Sequence, residues 1–288
     1  NRVSKDGNKI SGSQNVLDGN SNSVIGSQNS LSGDKNSVKG DLNAVNGSSN
    51  TLSGDRNRAD GDFNGIGGSS NNVLGSNNTV LGNNNTVSRG NGNQVNGSLN
   101  QVSNGNNNKM QGSANAVTGS GNSMLSNNSF AQGNNNELMG NNLRVEGNSA
   151  FLKGENSSIF GSRNTVVGNN TVVLGNENNV TGSGNRIEGE VIHSAGDNNT
   201  VRGRGDSIIG HSNAVLGDLN TLIGDRNKVK GNENKLSGDS NLVDGNTNIL
   251  KGNENTVQGN QNLVQGNGTV INGSYNAAKG NGNSILGN

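Results

Sequence analysis

The chain has 288 residues, among them 48 Gly, no Pro, no Cys and no Trp, and 2% of it is aromatic. That composition excludes a globule built on a compact aromatic core, and the lack of Cys excludes disulfide staples and thiolate metal sites. The 21 basic and 21 acidic side chains cancel, so no net field attracts nucleic acid or an anionic membrane. No apolar stretch approaches the roughly 20 residues a membrane helix needs, and no membrane insertion is expected. With 26% hydrophobic residues and a mean hydropathy of −0.74, such a chain would ordinarily be disordered, because it buries too little apolar surface to offset backbone entropy. The spacing of the hydrophobic residues argues otherwise.

From Asn8 the chain reads NKISGSQ, NVLDGNS, NSVIGSQ, NSLSGDK, NSVKGDL, NAVNGSS, NTLSGDR, and about forty-one copies of this N-x-V-x-G-x-x unit continue to NSILGN. Asn opens each unit except those at Leu143, Ala150, Ser157, Thr171, Ile192, Asp206 and Thr269. The third residue is Val, Ile, Leu, Met, Phe or Ala, with Ser194 the exception. Gly comes fifth. Where it comes one residue late, at Gly90, Gly105 and Gly133, the unit is read as eight residues long, the insertion forming a bulge or widened turn. This framing puts Phe130 among the third-position residues.

Alternation along N-x-V-x-G places Asn, the aliphatic residue and Gly on one side of a short strand and the two x residues on the other. Gly and the two residues after it, rich in Ser, Asp, Asn and Gly, suit a corner. The expected fold is all-β, a β-solenoid in which two heptad strands face each other in a flattened 14-residue coil. About twenty such coils would stack at about 4.8 Å into one continuous domain spanning 1–288, with Val stacks inside and Asn ladders satisfying the corners. A three-sided coil of three heptads is the competing geometry. Helix is excluded by the cost of recurrent Gly and Asn.

The unit, as in NSVIGSQ, NTVLGNN and NTVVGNN, resembles the ice-recrystallisation-inhibition proteins of cold-hardy grasses over essentially the whole chain. The resemblance implies a flattened β-roll with internal Val stacks and Asn ladders, and an extracellular antifreeze function exerted by a flat face. NSVIG and NSILG are also similar to the head repeats of trimeric bacterial adhesins, which implies a structural or adhesive extracellular role.

On such a scaffold the outward residues carry function. One face bears Arg58 with Asp60, Arg144 with Glu146 and Arg186 with Glu188, each pair two residues apart on a strand. The other bears Lys9, Lys39, Lys109, Lys153, Lys235, Lys251 and Lys279 against one acid, Glu137. Those lysines could meet an acidic polysaccharide, or simply discourage lateral sheet stacking. Five successive coils on the same face are uncharged: Thr165 and Val167, Asn179 and Thr181, His193 and Ala195, Ser207 and Ile209, Thr221 and Ile223. Contact with ice or another extended surface needs regularly spaced hydroxyls and methyls without charges that hold their own disordered water. Thr165, Val167, Asn179, Thr181, Ser207, Ile209, Thr221 and Ile223 are therefore the candidate surface-binding residues. A comparable uncharged run on the first face extends from Asn72 to Ala131.

No catalytic or cofactor chemistry is legible, and the chain is not read as an enzyme. His193 and His211 have no second imidazole or thiol at ligand spacing, so no metal is expected. Gly-Asp steps such as Gly33-Asp34, Gly54-Asp55 and Gly224-Asp225 lack the doubled glycine and G-x-D register of calcium-binding turns. Sequons such as Asn84-Asn85-Thr86 and Asn156-Ser157-Ser158 follow from an Asn-rich repeat and matter only in a secretory eukaryotic host.

Asn1 in place of Met suggests a processed product or an excerpt. Near both termini the repeat runs on without a capping helix, Pro or charge cluster. Bare terminal coils present unpaired backbone groups, and head-to-tail pairing through them generates open fibres. Negative-stain microscopy over a concentration series should then show unbranched filaments with an axial repeat on the order of 100 Å; persistently isolated short particles would exclude this mode of self-association.

Overall fold

The computed structural model describes residues 1–230 without a break and, beyond them, residues 235–237, 242–245, 248–252, 255–259, 263–266, 270–273, 277–279 and 284–286. The chain divides into two units, Asn1–Asn148 and Ser149–Asn288. Each is a parallel β-solenoid, and no helix occurs among the described residues. The first unit runs from strand Arg2–Ser4 to Arg144–Glu146, the second from Phe151–Lys153 to Ser284–Leu286. Alternate strands join alternate sheets. Strands two heptads apart pair in register, as Ser23, Val24 and Ile25 do with Ser37, Val38 and Lys39, or Val166 with Val180. Pairing at this separation establishes the two-sided coil and rules out the three-sided one.

The middle residue of each strand points inward. Val24, Leu52 and Val80 in the first unit, and Val166, Ile187 and Leu222 in the second, are buried. Each contributes on the order of 1.5–3 kcal/mol through removal from water. Within each unit the core is one side chain thick, and among the described residues the middle residue of a strand stacks on its equivalent in the next coil, as Val24 does on Val38 and Val166 on Val180.

First-position Asn residues form the expected ladder. The N–H of Asn43 donates to Oδ1 of Asn29 at 2.9 Å, and its Nδ2 donates to the same oxygen at 3.1 Å and to the Gly54 carbonyl at 2.8 Å. Its own Oδ1 accepts the N–H of Asn57 at 2.9 Å. One amide thus joins three coils and closes a corner. Ser157 substitutes a hydroxyl that accepts the N–H of Thr171 at 3.0 Å and reaches the Gly168 carbonyl at 3.1 Å. Leu143, Ala150 and Ile192 are buried without an amide, and Thr269 lies outside the described residues.

Fifth-position Gly answers to stacking as well as to the turn. A Cβ on Gly40, whose φ is 127°, would lie 2.1 Å from the carbonyl oxygen of Gly54, so its missing side chain would project along the stack into the next coil. The seventh residue is left-handed, at φ 58° for Lys35 and 61° for Leu42. Between them the sixth residue forms a second ladder. The N–H of Ser27 donates to Oδ1 of Asp41 at 2.6 Å, and that of Asp41 to Oδ1 of Asp55 at 2.8 Å. Gly-Asp steps are rungs of this ladder, and His211 is one too: its Nδ1 accepts the N–H of Asp197 at 2.9 Å.

The structure corrects the framing near Gly133. Ser129, not Asn128, occupies the ladder position; its N–H donates to Oδ1 of Asn115 at 3.1 Å, and its Oγ accepts the N–H of Leu143 at 3.0 Å. Asn128 is the left-handed corner residue. Ala131 is buried in register with Val117, whereas Phe130 faces outward, with the Arg144 guanidinium 5.6 Å from its ring centroid. The unit at Gly133 therefore has seven residues. The misframing arises one unit earlier, where buried Ser126 stands in the glycine position and removes the marker. At Gly90 and Gly105 the eight-residue units are real: Thr79 pairs with Gln94 and Thr86 with Gln101, while the extra residues, Arg89 and Asn104, sit in corners at φ 54° and 51°.

Asp206 replaces Asn in a fully buried rung. Its Oδ1 accepts the N–H and Nδ2–H of Asn220 at 2.8 and 2.9 Å, while Oδ2 has no partner. An amide there would donate to a glycine carbonyl; a carboxylate has no hydrogen to give. Burial pushes the carboxyl up to about 6 despite the two bonds from Asn220. Because the folded-state value is raised, the protonated acid stabilises the fold at low pH, and this contribution is lost as pH rises through about 6. Asp206→Asn should restore the donor, raise stability at pH 8 by about 1–2 kcal/mol and gain little at pH 4. Thermal unfolding of both forms across that range checks it, and an equal gain at both pH values would refute the assignment. In the first unit, Val117→Asp should lower the melting temperature, since it buries an unpaired charge in a core one side chain wide; an unchanged melt by circular dichroism would show that the wrong face is taken as inward.

Candidate functional site

In the second unit, strands Thr165–Val167, Asn179–Thr181, His193–Ala195, Ser207–Ile209 and Thr221–Ile223 pair consecutively within one sheet. Register alone then builds two outward columns. Thr165, Asn179, His193, Ser207 and Thr221 form one; Val167, Thr181, Ala195, Ile209 and Ile223 form the other. Rows lie about 4.8 Å apart and columns about 6.6 Å apart, from strand spacing and rise. All eight candidate residues share this face. Each is exposed except half-buried Ser207, and Ile209 and Ile223 keep 53% and 51% of their surface open to solvent.

The strip is level because its backing is. Val166, Val180, Ile208 and Leu222 are buried directly beneath it, and the Asn164–Asn178 rung ties neighbouring coils at 2.9 Å. One defect interrupts it. Between Thr181 and Ile209 stands only the methyl of Ala195, over Ser194, and the surface dips into a shallow trough lined by Asn179, Thr181, His193 and Ile209. The Oγ of Ser194 is buried without a partner. The sole polar third-position residue in the sequence was the signal for this dip, and composition alone did not reveal its place in the strip.

Charged groups fall largely as expected. Arg58 pairs with Asp60 at 3.7 Å, and Arg144 pairs with Glu146; both pairs are exposed and stabilise little. The expected pairing of Arg186 with Glu188 is replaced by one across coils. Glu188 meets Arg202 and Glu190 meets Arg204, each at 3.4 Å, because a guanidinium one coil away lies directly opposite in the parallel register. Lys9, Lys39 and Lys109 in the first unit and Lys153 in the second are exposed; the side chains of Lys235, Lys251 and Lys279 lie outside the described residues. Uncharged coils separate the described lysines of the first unit, so they form isolated points rather than a stripe. The uncharged run from Asn72 ends in outward Phe130 and Gln132 rather than in Ala131. Among the described residues no cluster of His, Cys, Asp or Glu could hold a metal ion, and no helix is long and apolar enough to cross a membrane.

Two solved structures align with most of the chain. A putative acetyltransferase from Desulfovibrio desulfuricans G20 does so at 10% identity, over 87% of this chain and 67% of that one, with a TM-score of 0.19. The polySia specific acetyltransferase NeuO does so at 12% identity, over 92% and 73%, with a TM-score of 0.07. Overlap this slight carries no functional weight. No curated protein matches the chain. The family profile described as grass antifreeze beta roll matches residues 1–82, 66–161 and 194–288. Its matches include Ser207, Ile209, Thr221 and Ile223 and leave out Thr165, Val167, Asn179 and Thr181. With more than half its length matched, the chain belongs to the grass antifreeze β-roll family.

Proposed function

We propose that this protein acts outside the cell, secreted or at the cell surface, as a non-catalytic ice-binding protein that restrains recrystallisation through the Thr165–Ile223 strip. The observation that carries this reading is the pair of columns free of Lys, Arg, Asp and Glu and held in register over five coils, with the dip at Ala195 their one break. Hydroxyls of Thr165, Thr181 and Thr221 and methyls of Val167, Ile209 and Ile223 stand at positions set by the register. Water over such a surface is held at the hydroxyls and deflected by the methyls. A charged side chain would instead hold a local shell of its own. Lys153, in register with Val167, and Lys235, in register with Thr221, each one coil away, mark the two ends of the strip. Rigidity matters as much as composition, since each weak contact adds to the next only when all are positioned together.

Ice-grain size after annealing frozen solutions provides the test. Micromolar wild-type protein should keep grains small, and Thr181→Lys with Ile209→Lys should abolish that effect without changing the circular dichroism spectrum. Ser103→Lys with Thr118→Lys, on the uncharged run of the first unit, should leave it intact. Wild-type protein behaving like an inert control would overturn the ice reading, and loss of the effect in the second variant alone would move the contact to the other face.

A further inference from the structure

The opposite face of the second unit is built differently, and we infer that it is a self-association surface for a second copy of this chain. The inference does not rest on the ice reading. Its centre is two adjacent strands, Arg186–Glu190 and Thr200–Arg204, each five residues long where most strands have three. The extension brings Glu190 and Arg204 into the sheet beside Glu188 and Arg202, in paired register. Elsewhere among the described residues the sixth heptad position mostly holds the small Ser, Asp or Asn of the corner ladder, Glu155 and His211 being exceptions. Here that rung is given up for two long charged side chains, a local departure that the fold itself does not require.

The result is a block in which Glu188 and Glu190 on one strand, beyond outward Arg186, lie beside Arg202 and Arg204 on the next, beyond Thr200; a two-fold between these strands sets Arg186 opposite the partner's Thr200. The side chains of Glu188 and Glu190 are 42% and 45% exposed, and those of Arg202 and Arg204 are 67% and 71% exposed. An apolar row flanks it on each side. Val172 and Leu174 precede the acids, and Ala214 and Leu216 follow the arginines, with Leu216 46% exposed. This order is its own complement. A two-fold axis parallel to the strands and passing between the charged rows sets Glu188 opposite the partner's Arg202 and Glu190 opposite the partner's Arg204. The same operation sets Leu174 opposite the partner's Leu216 and Val172 opposite the partner's Ala214. The stacking axes of the two copies then run antiparallel. A parallel arrangement would put acid on acid and is excluded by repulsion.

Each ion pair is exposed and nearly neutral in the single chain. In the pair of copies every carboxylate gains a second guanidinium in a partly dehydrated setting, flanked by apolar rows packing at the usual separation of about 10 Å between sheets. Six coils of this face, from Phe160 to Lys230, offer about 400 Å² of flat area, roughly half of what one partner contributes to a standard interface. The dimer is therefore weak, concentration-dependent and salt-sensitive. It is also isologous, and it leaves the Thr165–Ile223 strip of each copy uncovered and facing outward.

Sedimentation velocity of the full chain from micromolar to millimolar concentration tests this. The wild type should shift from monomer to dimer, less so at high salt. Arg202→Glu with Arg204→Glu, and separately Glu188→Arg with Glu190→Arg, should each weaken self-association about a hundredfold or more, because like charges then face each other. An equimolar mixture of the two variants should restore the dimer, and this rescue excludes misfolding as the cause of the losses. A wild type that stays monomeric throughout, variants that dimerise like the wild type, or a mixture without rescue would each overturn the inference.

Discussion

The structure depends on the closeness with which one coil lies on the next. A Cβ on a corner glycine would stand about 2 Å from the carbonyl one coil away, so this close approach favours Gly at almost every corner, with buried Ser126 a described exception. That approach would strand corner carbonyls away from water, at a cost comparable to a lost hydrogen bond for each. The Asn amide removes the cost by donating to the glycine carbonyl and to the neighbouring Asn oxygen at once, as Asn64 does to Gly75 and Asn50. Asn and Gly in each heptad are thus two halves of one requirement. The aliphatic residue between them fills a space whose width they have already set.

Once this framework stands, outward positions are almost free of structural duty. This freedom explains why Lys, Asn, Thr, Leu and Gly all occur outward on successive strands, and why surface composition can be read as information about contacts. The second unit shows the separation clearly. Its ladder is the less regular, with Ser157, Thr171, Ile192 and Asp206 in Asn positions and Ser194 in the core, yet its outer strip stays in register through all five coils. Regularity outside does not require uniformity inside, provided that each substitute preserves the spacing. Ser157 does so with a hydroxyl; Asp206 does so while leaving an oxygen unpartnered.

Most of the architecture was legible because period and alternation determine which residues can meet. The heptad, inward Asn and Val, corner Gly and eight charge-free outward residues could all be read without coordinates. Three things could not. Ser126 in a glycine position hides the true frame, so the string alone puts Asn128 and Phe130 where the fold buries Ser129 and Ala131; a hydroxyl in place of the marker looks like an insertion. Glu188 was matched with its strand neighbour Arg186, since proximity along the chain is visible and proximity across coils requires the register to be known. The sixth-position ladder explains the Gly-Asp steps, but its geometry, a backbone N–H meeting a carboxylate one coil away, exists only once coils are stacked.

The alternation of strands between two sheets has a consequence for how such a chain can change in length. Gain or loss of two heptads inserts or deletes a whole coil and leaves each later residue on its former side. A single heptad preserves Asn, Val and Gly equally well, so folding would detect almost nothing. It would nevertheless transfer every downstream strand to the opposite sheet, splitting any surface that spans the event into two half-surfaces facing away from each other. Copy number is therefore subject to a parity rule that stability alone cannot enforce. Wherever an extended face has a use, lineages should add and discard repeats in pairs.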